Sequence, residues 1–528
     1  MATRDLPKSF KQLSTGWIQH LDNEITFNRK TPSQIKEEED PNYVRKVKMK
    51  NLWPAFCAGA GLFSEGYVNN SISTVSTILS RIYGTAYSES NAISNVSSIA
   101  FVGIVLGQLG FGYVSDHIHR KGGMLVANVM LIFFTLLTAV GTWGAHGSPG
   151  GLFAALTTFR FFLGIAIGAE YPTSSVIASE FANQLPSGHR NRYFVWFTDF
   201  MIDFGFVVSA FVPLVLLWIF STRHLTAVWR LTLGLGVFPP LALFFMRLKV
   251  ADSDAFKKMN IKRVKKVPFL LIAKFYWFRL FIVSFIWFLY NFSVYSFGTY
   301  SSYIFAQIIP TDADGNADLY KTFGWNVVFN LFYIPGSFLG GLMADYFGPR
   351  LTLAIGVGLQ AVVGFIMAGC YDSLAKHIAA FIVVFGIFSA LGEVGPGDNI
   401  GLLASKTSAT AIRGEYYGIA AAWGKIGAFV GTWVFPVIIS HTDGVKTPIF
   451  ISSGFCVISC ILALFFVPPV GQDAINKEDD DFLNYLVDNG FDVSQLGESV
   501  EIDEQAQKES EGDSDVQTVN EILDTKKQ

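Results

Sequence analysis

Apolar residues in this chain come in long unbroken runs separated by short polar turns, rather than alternating with polar ones at the strand or surface-helix period. A bilayer core is crossed by about 20 helical residues. Runs of that length predict twelve spans, at about 51–79, 92–115, 122–142, 151–179, 193–220, 227–247, 278–309, 323–345, 350–371, 376–404, 414–440 and 446–467. The expected fold class is therefore an all-α polytopic membrane protein with 12 transmembrane helices.

Composition and charge sharpen that picture. The 528 residues are 51% hydrophobic and 15% charged, where a soluble protein carries roughly 25% charged residues. Lys and Arg gather in the first fifty residues, in the 248–276 connection and in the turns HRKGG and GHRNR; the long turn on the other side, PTDADGNADLY, is acidic. The positive-inside rule then puts both termini and the 248–276 connection in the cytoplasm. The polar start, MATRDLPKSFKQLSTGW, predicts no cleavable signal peptide. Cys57, Cys370, Cys456 and Cys460 all fall in apolar runs and read as small buried hydrophobes, so no metal site or disulfide is expected.

The chain is internally duplicated. GYVSDHIHRK (Gly112 to Lys121) follows the second run and GLMADYFGPR (Gly341 to Arg350) follows the eighth. The expected domains are a cytoplasmic segment 1–50, a six-helix bundle 51–247, a basic loop 248–277, a second bundle 278–467, and an acidic, largely disordered tail 468–528. Transporters built from two such bundles bind substrate between them near the midplane and alternate access by rocking. Asp116 and Arg120 in one turn, and Asp345 and Arg350 in the other, are candidate gating residues that latch the halves.

These duplicated turns resemble those of the major facilitator superfamily. RFFLGIAIGAEYPTSSVIASE (Arg160 to Glu180) resembles the fourth-span signature of its proton-coupled phosphate symporters. EGYVNNSIS, GAEYPTSS, GPGDNIGLLASKTSATAIRG, GKIGAFVG and FLNYLVDNGF resemble fungal glycerophosphodiester permeases, which import glycerophosphocholine or glycerophosphoinositol.

An ionisable side chain at mid-bilayer costs about 2.5–3.5 kcal/mol and is a functional candidate by default. Lys425, about eleven residues into its run, can offer a point charge to a phosphate, and it matches the phosphate-coordinating lysine of the symporters. Trp287, Asn291 and Tyr295 recur at i, i+4, i+8 and share a face; the symporters have Asp where Asn291 stands. Tyr171 matches a tyrosine that contacts phosphate in the resembled family. Glu65, Arg160 and Glu170 are candidate proton-coupling residues, with an exchanging Glu65–Arg160 pairing expected. Asn128 stands near a position where those symporters often carry Glu.

Ile387 to Ala404, IFSALGEVGPGDNIGLLA, carries two carboxylates and a helix breaker inside an apolar run. The symporters read G-P-N where this chain has Gly395-Pro396-Gly397, so Gly397 is expected to leave room for a larger substrate. Glu393, Asp398, Asp199 and Asp203 suit a ligand that is partly cationic, and Tyr290 and Trp423 add aromatic candidates for a quaternary ammonium. Glu180, Arg190, Arg192 and Arg413 read as gate residues.

The resemblance implies a proton-coupled importer of glycerophosphodiesters at the plasma membrane, glycerophosphocholine favoured over glycerophosphoinositol. Its expected partners are that small-molecule substrate, protons and the lipid bilayer, with no nucleic acid, no cofactor and no metal, as a monomer. An inorganic phosphate symporter and a transporter-like nutrient receptor are the alternatives. No nucleophile–base pair stands at usable spacing, so no enzyme is expected.

Overall fold

A computed structural model describes residues 49–496, apart from 89, 119, 145–146, 184, 186–187, 249–260, 262–263, 265–266, 311–316, 443 and 473. Most of the 1–50 segment, most of the basic loop and the tail beyond 496 lie outside the described residues, as do the side chains of Arg120 and His119.

Among the described residues, twelve long helices build the molecule. They are α1 (Met49–Tyr83), α2 (Ala92–His117), α3 (Lys121–Val140), α4 (Pro149–Ala182), α5 (Arg190–Phe220) and α6 (Thr222–Arg247). After the basic loop come α7 (Phe269–Ile308), α8 (Leu319–Phe347), α9 (Pro349–Gly369), α10 (Ile378–Lys406), α11 (Thr410–His441) and α12 (Lys446–Phe466). Eleven are long and apolar enough to cross a membrane. α1 is long enough but more polar, because Glu65, Asn69, Asn70, Ser71, Ser73 and Thr74 are all buried along it. Those residues face protein, not lipid, so polarity there is compatible with spanning.

In the first half α1 packs on α5 and α2 on α4; in the second, α7 packs on α11 and α9 on α12. The halves meet along α2–α11 and α5–α8. Small residues permit the closest approaches. Gly103 and Gly107 of α2 face Gly164 and Gly168 of α4 so tightly that a Cβ at any of them would strike a backbone carbonyl. Apolar side chains such as Phe133, Phe245 and Val362 stay exposed on the outside, which is the surface hydrocarbon covers.

α4 and α10 are interrupted at corresponding places by a wider turn, Tyr171–Ser175 and Glu393–Gly397, each containing a proline. Proline lacks the N–H that would close the ladder. At Pro396 the Asn399 amide donates to the Val394 and Gly395 carbonyls, at 2.9 and 3.0 Å, so the kink leaves both satisfied.

The tail departs from expectation. Ala474–Asp488 forms α13, an amphipathic helix whose Ile475, Glu478, Phe482 and Leu486 are buried. Phe482 packs against Phe275 and Tyr276 at the start of α7, and Arg279 pairs with Glu478 at 2.8 Å. Glu478 and the apolar Ile475, Phe482 and Leu486 dock it, while Asp480 and Asp488 stay exposed.

Candidate substrate cavity and gates

Between the halves lies a cavity lined by α1, α4, α5, α7, α8, α10 and α11. Tyr171, Trp287, Asn291, Tyr295, Glu393, Asp398 and Lys425 all line it. Periodicity alone placed Trp287, Asn291 and Tyr295 on one face of α7, and that face is the one turned to the cavity.

Lys425 forms one pole. Its Nζ lies 3.3 Å from Glu65 Oε1, donates to the Tyr295 hydroxyl, and sits 3.9 Å from the Tyr295 ring centroid and 4.9 Å from that of Tyr171. The Tyr171 hydroxyl donates to the same Glu65 oxygen at 2.5 Å. The other oxygen, Oε2, is buried and accepts no hydrogen bond among the described residues. A lysine held by one carboxylate and two tyrosines keeps its charge aimed at the cavity.

Another part of the lining is acidic. Asp199 and Asp203 on α5 stand with Glu393 so that one carboxylate oxygen of each lies within 4.8 Å of the others, a spacing that could hold a cation. Asp398 completes the group. At an effective dielectric of about 20, two full charges at that distance repel by about 3.5 kcal/mol, so the group is not stable fully ionised without a compensating positive charge. The Tyr290 hydroxyl donates to Glu393 at 2.8 Å. Asp398 is 1% exposed and neither of its oxygens accepts a hydrogen bond among the described residues.

Two glycines make space for these acids. A Cβ at Gly340 of α8 would collide with Asp398 Oδ2, and one at Gly397 with Glu393 Oε2. The room left by Gly397 is therefore taken by a carboxylate of the chain itself, not by open volume as the sequence suggested.

Several expectations need correction. Arg160 is buried, but its Nε donates to the Val96 carbonyl at 2.8 Å; Glu65 pairs with Lys425 instead. Glu170 makes a two-pronged ion pair with Arg247, 2.6 and 2.7 Å, fully buried. Arg247 was missed, because an arginine at the end of an apolar run reads as a charge at the membrane boundary; 77 residues separate it from Glu170. Trp423 is 51% exposed and faces outward. Asn128 donates to the Pro240 carbonyl at 3.0 Å and ties α3 to α6.

The duplicated turns act across the two halves. Asp116 of α2 accepts the backbone N–H groups of Gly414 and Glu415, at 3.1 and 2.7 Å, capping the start of α11. Asp345 of α8 accepts those of Asn191 and Arg192, at 3.1 and 3.3 Å, capping the start of α5, and also the Arg192 side chain. Each motif carboxylate thus sits on the positive end of a helix dipole in the other half. Arg350 donates to Leu464 O of its own half at 2.9 Å. Glu180 and Arg413 add a cross-half pair at 3.4 Å. α13 joins in, with Asp479 accepting the Thr410 backbone N–H at 2.6 Å, and Gln472, just before that helix, donates to Asp345 at 3.1 Å.

At the opposite end Ser73 meets Ser301 at 3.0 Å and Asn70 donates to Asn330 at 3.0 Å. The halves touch at both ends, an occluded arrangement.

Two helical bundles, a polar chamber between them and cross-half clips above and below define a major facilitator transporter. The model of the family described as "Sugar (and other) transporter" matches residues 54–267 and 257–477, and the chain belongs to that family. It is a membrane transporter, not an enzyme.

Among particular proteins, the chain is 62% identical over 509 residues to the glycerophosphocholine permease GIT4 of Candida albicans, covering 94% of each. It is 61% identical to the major glycerophosphoinositol permease GIT3 of the same organism, covering 96% of each. The fold is shared with the proton:xylose symporter XylE, at a TM-score of 0.67 and 16% identity, over 82% of this chain and 99% of that one.

Proposed function

We propose that the chain imports glycerophosphodiesters across the plasma membrane with protons, taking glycerophosphocholine in preference to glycerophosphoinositol. The observation that carries this reading is the mixed charge of the cavity lining, one lysine paired with Glu65 and a separate group of four carboxylates. A phosphodiester is an anion and choline a quaternary ammonium, so glycerophosphocholine presents both charges such a chamber complements. The 62% identity to a glycerophosphocholine permease supports the substrate class, and the similar identity to a glycerophosphoinositol permease makes the acidic pole, rather than overall likeness, the basis for the choline preference. Asn291 and Gly397 speak against inorganic phosphate, since each replaces a polar side chain that the resembled phosphate symporters carry.

Glu65 is the proposed coupling carboxylate. Ionised, it holds Lys425 in an ion pair; protonated, it releases Lys425 to the phosphodiester. Substrate and proton then favour the same state. One pH unit supplies about 1.4 kcal/mol per proton, and 100 mV adds about 2.3 kcal/mol per charge. With both termini and the basic loop in the cytoplasm, the Asp116, Asp345 and Glu180–Arg413 clips form the inner gate, which must part for release.

The test is uptake of labelled glycerophosphocholine, glycerophosphoinositol and phosphate at pH 5 and pH 7.5, with and without a protonophore. The reading expects both esters to enter faster at pH 5, loss of uphill accumulation with protonophore, and little phosphate uptake. Uptake indifferent to pH and protonophore refutes proton coupling.

A further inference from the structure

We infer that the Asp199–Asp203–Glu393–Asp398 group is one positive-charge site that a proton and the substrate's own ammonium occupy in turn, so that a choline ester travels with one proton fewer than an inositol ester. The inference rests on the proposed proton-coupled uptake of glycerophosphodiesters and adds a substrate-dependent stoichiometry to it.

Three of these carboxylates bring oxygens within 4.8 Å of one another, and Asp398 is 1% exposed, lines the cavity and has both oxygens without a donor. Such a group cannot be fully ionised while empty of positive charge. The groups that face it from the packed helices offer one cation, Lys425, and that cation is already paired with the Glu65 carboxylate. From α7 comes Tyr290, from α8 Tyr333, from α11 Tyr417 and Lys425, and from α4 and α7 Tyr171 and Tyr295. Phenols are neutral, and Lys425 is engaged with Glu65. The compensating charge of the empty chamber is therefore a proton shared among the four acids.

A quaternary ammonium brings its own positive charge and no acidic hydrogen. When it enters, the shared proton leaves its carboxyl oxygen for cavity water, and the ammonium takes over the carboxylates. An inositol headgroup is uncharged, so the proton stays and is carried through. Charge balances in both cases. A zwitterion with n protons and an anion with n + 1 protons move the same net charge per cycle.

That equality gives a two-part signature. The full chain is reconstituted in liposomes, and steady-state accumulation of each ester is measured under an imposed pH gradient with the potential clamped to zero, then under an imposed potential with no pH gradient. With one pH unit, each carried proton multiplies accumulation tenfold, so glycerophosphoinositol should accumulate about tenfold more than glycerophosphocholine. Under potential alone the two should accumulate alike. Asp398→Asn should shrink the tenfold gap to less than threefold. Equal accumulation under the pH gradient overturns the inference and leaves proton-coupled uptake intact. Accumulation of neither ester under the pH gradient overturns proton coupling itself, and this inference with it.

Discussion

Replacing Glu65 with Gln tests the coupling step directly. The amide copies the shape of a protonated carboxyl and removes its charge. In the wild type the Lys425 Nζ and Glu65 Oε1 are 3.3 Å apart, both buried. Two full charges at that distance attract by about 5 kcal/mol at an effective dielectric of about 20, an upper bound, since the ionised pair also gives up hydration. The net value of a hydrogen bond to a charged group is about 1.5–3 kcal/mol. A phosphodiester approaching Lys425 must displace that interaction when Glu65 is ionised, and has nothing to displace in the variant. Binding of glycerophosphocholine to purified E65Q protein at pH 7.5 should therefore be roughly 10- to 150-fold tighter than to the wild type. The gain should shrink as the medium is acidified, because protonation does to the wild type what the amide does permanently. Uphill accumulation of glycerophosphocholine should disappear while exchange of internal for external substrate persists. An E65Q protein that still accumulates glycerophosphocholine against a gradient, with the wild-type response to pH, would refute the role of Glu65.

Other perturbations reach the packing, the gates and the tail helix. A Cβ at Gly427 of α11 would strike the Phe288 carbonyl of α7, so Gly427→Leu should separate those helices and sharply lower the yield of monodisperse protein in detergent, while Gly454→Ala, with open space around it, should be silent. Asp345→Ala leaves the α5 N-terminus and the half-buried Arg192 without their carboxylate, at a cost of about 1–3 kcal/mol; it should open the inner gate and speed alkylation of a cysteine introduced by Ser405→Cys at least tenfold. Burial pushes the Asp479 carboxyl up, with Arg413 and the Thr410 hydrogen bonds offsetting this in part. The docked helix therefore binds a proton more readily than the undocked one. Docking of α13 should be strongest below the free carboxylate value of about 3.9 and weaken as pH rises through the docked value; hydrogen exchange across residues 474–488 measures this, and Asp479→Asn should flatten the profile.

How far the sequence carried the account follows from what each signal encodes. Run length specifies spans, and the repeated G-x-x-x-D turn specifies two halves, so both were legible. The depth of Lys425 in its run and the 3.6-residue period of Trp287, Asn291 and Tyr295 pointed to the cavity, because each is a property of one helix. What failed needed knowledge of which helix faces which. The Arg247 partner of Glu170, the Lys425 partner of Glu65 and the carbonyl that holds Arg160 are all set by packing between helices distant in the chain. Trp423 shows the same limit within α11: two residues before Lys425, it lies on the opposite side of the helix. α13 was missed for a different reason. Its many acids dominate the composition, yet Glu478 and Asp479 find partners in Arg279 and Thr410, and three apolar positions complete the docking once α7 offers Phe275 and Tyr276.

The central claim is that the carboxylates sharing the chamber with Lys425 read the cationic end of the substrate. The direct measurement is initial uptake of labelled glycerophosphocholine and glycerophosphoinositol by Glu393→Gln/Asp398→Asn protein, normalised to the amount at the membrane. The account predicts that the choline-to-inositol uptake ratio falls at least about tenfold, a loss of about 1.4 kcal/mol of discrimination, while glycerophosphoinositol uptake is largely kept. Equal losses for the two esters would contradict it.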